Sequence, residues 1–151
     1  MRRITFGLAF GIVAVTWGPP SSATAEVLIT EAEAKLPPSS NVPMATRGLT
    51  RGPGIEQASP RAGQAVKSPL PFRIKFSIRN GIPIDPVSVK LTYLKATPVD
   101  LTERIKAHLR PDGIDMDRAE VPSGTHVLRF DLKDQQGRVG TAIIKLIVKG
   151  K

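Results

Sequence analysis

Phe72, Ile74, Phe76 and Ile78 alternate with Arg73, Lys75, Ser77 and Arg79. Strict period two places the apolar side chains on one face of an extended strand and the polar ones on the other. Such a strand has to bury its apolar face against a second layer of structure. The pattern recurs in Val87, Val89, Leu91 and Tyr93, which alternate with Ser88, Lys90 and Thr92. A third run, Thr125 to Asp131, carries Leu128, Phe130 and Leu132 on one side and Val127, Arg129 and Asp131 on the other. A fourth, Val139 to Val148, has Ala142, Ile144, Leu146 and Val148 as its inner row. Its Ile143 and Ile147 imply partial cover on the outer side as well. Asn80-Gly81, Pro122-Ser123-Gly124 and Gln135-Gln136-Gly137 separate these runs as turn signals. Short alternating strands at this spacing predict an all-β sandwich.

One interruption is helical. Leu101, Ile105 and Leu109 recur every four residues while Arg104, Lys106 and His108 face away. Asp100-x-x-Glu103 has the spacing of a capping box, and Pro111 and Gly113 stop the helix. At about two turns it needs the sheet for stability. Upstream, residues 26–59 are punctuated by Pro37-Pro38, Pro43, Gly48 and Gly52-Pro53-Gly54. They read as an irregular, flexible arm. Within it, Thr30-x-x-Glu33 predicts one capped helical turn and Ile55 to Ala58 an edge strand.

The first 25 residues have a different character. Arg2 and Arg3, the apolar run Ile4 to Trp17, and Ala23-Thr24-Ala25 have the layout of a cleaved secretory signal. At about 14 residues the run is too short for a membrane anchor. The division expected is a signal peptide at 1–25, the arm at 26–59 and the sandwich domain at 60–151. The exported form, periplasmic or secreted, contains no cysteine. That excludes both a disulfide framework and a lipid-anchored start. Removing Arg2 and Arg3 from a net charge of +9 leaves +7. Such a charge favours anionic envelope partners: lipid, lipopolysaccharide or acidic polysaccharide. Nucleic acid is not expected in that compartment, and the aromatic residues are too few for a stacking platform.

Gly81-Ile82-Pro83-Ile84-Asp85-Pro86-Val87-Ser88-Val89, Val121-Pro122-Ser123-Gly124-Thr125-His126 and Phe130-Asp131-Leu132-Lys133-Asp134-Gln135-Gln136-Gly137-Arg138 occur in this order. They resemble the G-x-x-(I)-D-P-x-S-V segment, the P-x-G-x-H turn and the V-x-x-x-D-x-x-G-N/R hairpin of bacterial immunoglobulin-like domains of the cadherin- and fibronectin-like kind. The resemblance spans residues 60–149 and implies an immunoglobulin-like antiparallel β-sandwich. Its motif residues are turn formers and not catalytic groups, so it implies no activity. Such domains often repeat in tandem, whereas this chain holds one copy, and the helix is an insertion into their pattern.

Four groups are candidates for chemistry. Asp112, Asp115, Asp117 and Glu120 could supply oxygen ligands to calcium, although their spacing does not fit an EF-hand and a solvated loop accounts for them. His108, His126 and Met116 are the possible copper ligands, without a His-x-His or Met-rich cluster. Ser68, Ser77, Ser88 and Ser123 lie in no nucleophile-elbow context, so no catalytic residues and no cofactor are expected. Finally, Arg61 to Val99 holds seven basic residues against one acid, Asp85. Arg73, Lys75, Arg79 and Lys90 there could form one anion-binding patch, provided their strands share a sheet. The expectation is a non-enzymatic binding or scaffold domain that contacts an envelope protein or anionic component. The alternative is handling of copper or calcium.

Overall fold

The computed structural model describes residues 24–42 and 51–150. The signal segment expected at 1–25 lies outside the described residues, apart from Thr24 and Ala25. In chain order the elements are β1 (Glu26–Val27), α1 (Glu31–Ala34), β2 (Gly54–Ser59), β3 (Ala65–Lys67), β4 (Leu70–Ser77) and β5 (Ile84–Tyr93). There follow β6 (Val99–Asp100), α2 (Thr102–Ile105) with a 3-10 turn at Lys106–His108, β7 (Leu109–Arg110), β8 (Gly113–Glu120), β9 (Gly124–Asp134) and β10 (Val139–Lys149). One sheet has the order β1-β8-β4-β2, with β7 also on β8, and the other β3-β10-β9-β5-β6. Every pair is antiparallel except β1 with β8 and β3 with β10.

This strand order is immunoglobulin-like. The row β2-β4-β8 corresponds to strands A, B and E, and β10-β9-β5-β6 to G, F, C and C′. The alternating rows meet between the sheets, as their patterning requires. Phe72, Ile74 and Phe76 of β4 face Leu91 and Tyr93 of β5, Leu128, Phe130 and Leu132 of β9, and Ile144, Leu146 and Val148 of β10 within one core. The Phe72 and Phe130 rings stack with centroids 6.3 Å apart. The inserted α2 adds Leu101 and Ile105 to that core. Its expected capping box does not form. Asp100 instead accepts from the Thr102 N–H at 2.9 Å, and Glu103 pairs with Lys106.

Two apolar residues assigned to inner rows lie outside. Ile78 falls beyond the end of β4 and is 52 % exposed. Val87 is 91 % exposed because the pairing of β5 with β9 shifts between Asp85 and Lys90. The bulge is built by the motif itself. Asp85 Oδ1 accepts from the Val87 N–H, while Ser88 Oγ donates to the Asp85 carbonyl at 2.6 Å and accepts from the Lys133 N–H at 2.8 Å. The serine fills the gap in the ladder, and the bulge returns Val89 to the core.

The acidic segment read as a solvated loop is the strand β8. Ile114, Met116 and Ala119 are buried, and the carboxylates interrupting them form an outward row. Ile114 and Met116 alternate with Asp115 and Asp117 at period two, and a register shift on β4 then returns Ala119 to the core.

The stretch read as an arm joins the sandwich at both of its described ends. Leu28 and Ile29 are buried, and β2 forms an edge of the first sheet. The capped turn is present as expected. Glu33 N–H donates to Thr30 Oγ1, and the Glu33 carboxylate accepts from the Thr30 N–H at 2.9 Å. Among the described residues, no helix is long and apolar enough to cross a membrane.

Candidate functional site: the outer face of the second sheet

The four basic residues proposed as one patch are divided between the sheets. Arg73 and Lys75 lie on β4 in the first sheet, Arg79 lies beyond its end, and Lys90 lies on β5 in the second. On the first sheet the positive charges meet acids across the ladder. Arg73 stands in register with Asp115, and Lys75 with Glu56. Arg73 donates from Nε to Asp115 at 2.6 Å and from Nη2 to Asp117 at 2.7 Å. Its guanidinium holds the Asp115 carboxyl below the usual range. Arg73 of the basic stripe and Asp115 and Asp117 of the acidic run thus neutralise each other.

The remaining candidate ligands do not converge. Asp112 sits in the turn before β8 and Glu120 at the strand's far end. Met116 is buried in the core, and His108 pairs with Glu26. His126 is buried at the start of β9 with both ring nitrogens engaged. Its Nδ1 lies 2.8 Å from the Tyr93 hydroxyl and its Nε2 lies 2.9 Å from the Pro122 carbonyl. A carbonyl can only accept, so the neutral ring carries its proton on Nε2, and Tyr93 donates to Nδ1. Burial holds the imidazole below its usual pKa and pushes the Tyr93 phenol up to about 12. Among the described residues no group of three or more His, Asp or Glu side chains could hold a metal ion. Of the serines, Ser68 accepts from the Val121 N–H and Ser88 fills the bulge.

The second sheet is different. Along β9 the residues from His126 to Asp134 at even positions are buried, so Arg129, Asp131 and Lys133 face outward. On β10 the outward row is Thr141, Ile143, Lys145, Ile147 and Lys149. Lys90 of β5 stands in register with Asp131, and Lys67 of β3 with Lys149. This face therefore gathers six basic side chains (Lys67, Lys90, Arg129, Lys133, Lys145 and Lys149) against three acids, Asp85, Asp100 and Asp131. Asp131 is occupied by Arg129 at 2.9 Å and by the Thr141 hydroxyl at 2.7 Å. Asp100 on β6 lies near enough to Lys90 to feel its charge. Lys67, Lys133, Lys145 and Lys149 form no ion pair among the described residues.

Of this face, only Lys90 was singled out from sequence. The signal for the others was the alternation of β9 and β10, which places Lys133, Lys145 and Lys149 outward. It acquires meaning only once β3, β10, β9 and β5 are known to share a sheet.

At one end of the sandwich the sheets part around a cavity of about 760 Å³. Lys67, Ser68 and Lys149 line it from the second-sheet side, and Glu120, Ile29 and Glu31 from the first.

No family model matches the chain. No curated protein matches it either. Among solved structures, CopC from Methylosinus trichosporium OB3b is similar at 19 % identity, over 64 % of this chain and 93 % of that one, with a TM-score of 0.45. The fibronectin(III)-like modules of Clostridium thermocellum CbhA are similar at 14 % identity, over 64 % of this chain and 46 % of that one, with a TM-score of 0.41. At these identities, function has to be read from this chain's own residues.

Proposed function

We propose that this protein is an exported, non-enzymatic binding or scaffold domain of the bacterial envelope, and that it meets an anionic envelope component through the outer face of its second sheet. The observation that carries this reading is the set of outward lysines that form no ion pair among the described residues: Lys67, Lys133, Lys145 and Lys149. On the first sheet Arg73 is paired with Asp115 and Asp117, and Lys75 stands in register with Glu56. Long paired strands make the face broad, and the half-buried Val127, Ile143 and Ile147 between the lysines add aliphatic contact. Such a surface attracts polyanions without needing a shaped pocket.

Co-sedimentation with phosphatidylglycerol vesicles, using purely zwitterionic vesicles as the control, tests the reading. Each lysine near an anionic surface contributes about 1 kcal/mol, so Lys133→Gln with Lys145→Gln should weaken binding about thirtyfold. Lys75→Gln on the first sheet should change it little. Binding should also fall as salt rises. Equal loss from both variants, or no preference for the anionic vesicles, would overturn the assignment.

A further inference from the structure

We propose that the cavity between the sheet ends is a binding site for a small zwitterion with an aliphatic body. The two walls carry opposite charge. Lys67 and Lys149 are direct partners in the parallel ladder of β3 and β10, and both line the cavity. Like charges directly opposite one another repel, and no acidic side chain within ion-pair distance relieves this pair among the described residues. Across the opening, Glu120 at the end of β8 and Glu31 at the start of α1 line the other wall. Neither forms an ion pair among the described residues. No ion pair joins these lysines to these glutamates among the described residues, so both charges remain open to a ligand.

Between them, the exposed Val27 and the Pro69 and Pro122 rings supply apolar lining, backed by the buried Ile29, Val121 and Val148. The volume of about 760 Å³ falls in the range of small-ligand sites. A ligand that places an anionic group between Lys67 and Lys149 and an ammonium between Glu31 and Glu120 satisfies both walls at once. Its body then covers the aliphatic floor. A purely anionic ligand leaves the two glutamates facing it uncompensated, and a purely cationic one leaves the two lysines.

Two sources share this chemistry, a short peptide with free ends and a phosphoethanolamine headgroup on a short acyl chain. Calorimetry on the purified protein separates them with leucyl-leucine in one arm and monomeric dihexanoyl-phosphatidylethanolamine in the other. One of the two should bind. Removing either of its charges, as in N-acetyl-leucyl-leucine and leucyl-leucinamide for the peptide, should weaken binding at least tenfold. Lys67→Gln with Lys149→Gln should cost a similar factor, and so should Glu31→Gln with Glu120→Gln. All four positions are exposed, so these variants should melt close to the parent. Lys133→Gln with Lys145→Gln, which tests the sheet face, should leave zwitterion binding unchanged. No heat from either zwitterion at millimolar concentration overturns the proposal. So does equal binding of the singly charged analogues, or unchanged affinity in either cavity variant.

Discussion

Titrating Glu33 should loosen the contact between the N-terminal segment and the inserted helix. Its carboxylate accepts from Arg104 Nη1 at 2.8 Å through one oxygen and from Arg104 Nη2 at 2.7 Å through the other, a two-point contact. The same Arg104 Nη1 also donates to the Leu28 carbonyl at 2.9 Å. The Arg104 hydrogen bonds, helped by the Thr30 N–H and hydroxyl, outweigh burial and pull the Glu33 pKa from 4.5 to about 2. A folded-state pKa below the unfolded one stabilises the fold fully above pH 4.5, and this contribution is lost as pH falls towards 2. At about 1.4 kcal/mol for each pH unit the whole shift corresponds to roughly 3 kcal/mol. The Glu33 side chain is 16 % exposed and Arg104 30 %, so solvent screening lowers this, and about 2 kcal/mol is the working value.

Glu33→Gln keeps the size of the side chain and removes the charge. Urea unfolding of parent and variant should differ by about 2 kcal/mol at pH 7, with the curves converging as pH approaches 2. Asp100, Asp115 and Asp134 are also held below their usual pKa values by hydrogen bonds, so the parent weakens in acid at several places. The difference between parent and Glu33→Gln removes those shared contributions and isolates the pair. A difference that stays constant from pH 7 to pH 2, or one below about 0.5 kcal/mol at neutral pH, would refute the reasoning.

Two further perturbations test the frame of the sandwich. Ser88→Ala removes the hydroxyl that fills the bulge of β5, leaving the Lys133 N–H without its acceptor; chemical denaturation should show a loss of about 1–2 kcal/mol. Gly140→Ala places a Cβ against the Pro53 carbonyl where β10 meets the segment leading into β2. The clash is with backbone, so thermal unfolding should fall by several degrees, and hydrogen exchange should accelerate first in β2.

The core was legible because alternation is a local property. Phe72, Ile74 and Phe76 announce one buried face whichever strand lies beside them. The bulge was legible only as a motif: Asp85-Pro86-Val87-Ser88 marked an unusual place, but the reversal that turns Val87 outward depends on pairing with Lys133. The N-terminal segment was misjudged through its prolines and glycines. Leu28 and Ile29 directly precede the capped turn, and an apolar residue there is a docking signal in its own right. The strand β8 was misjudged through its charge. Ile114 and Met116 alternate as strictly as the residues of β4, and the acids between them are tolerated because Arg73 stands opposite.

The charged surface was the least legible part, because neutralisation is decided across strands and not along them. Positive charge is least offset by acids along the sequence from Arg61 to Val99, yet on β4 folding places Asp115 and Glu56 opposite Arg73 and Lys75. Over β9 and β10 Asp131 and Asp134 lower the net charge along the sequence, but the register sets Lys145 against Val127, Lys149 against Lys67 on the neighbouring β3, and Lys133 between Val139 and Asp85. A polyanion responds to the field left after pairing and not to the count of lysines in a segment. The second sheet is therefore the stronger candidate for an anionic contact. At the end of that face, where Lys67 and Lys149 meet without an acid between them, a bound anionic group would relieve the repulsion.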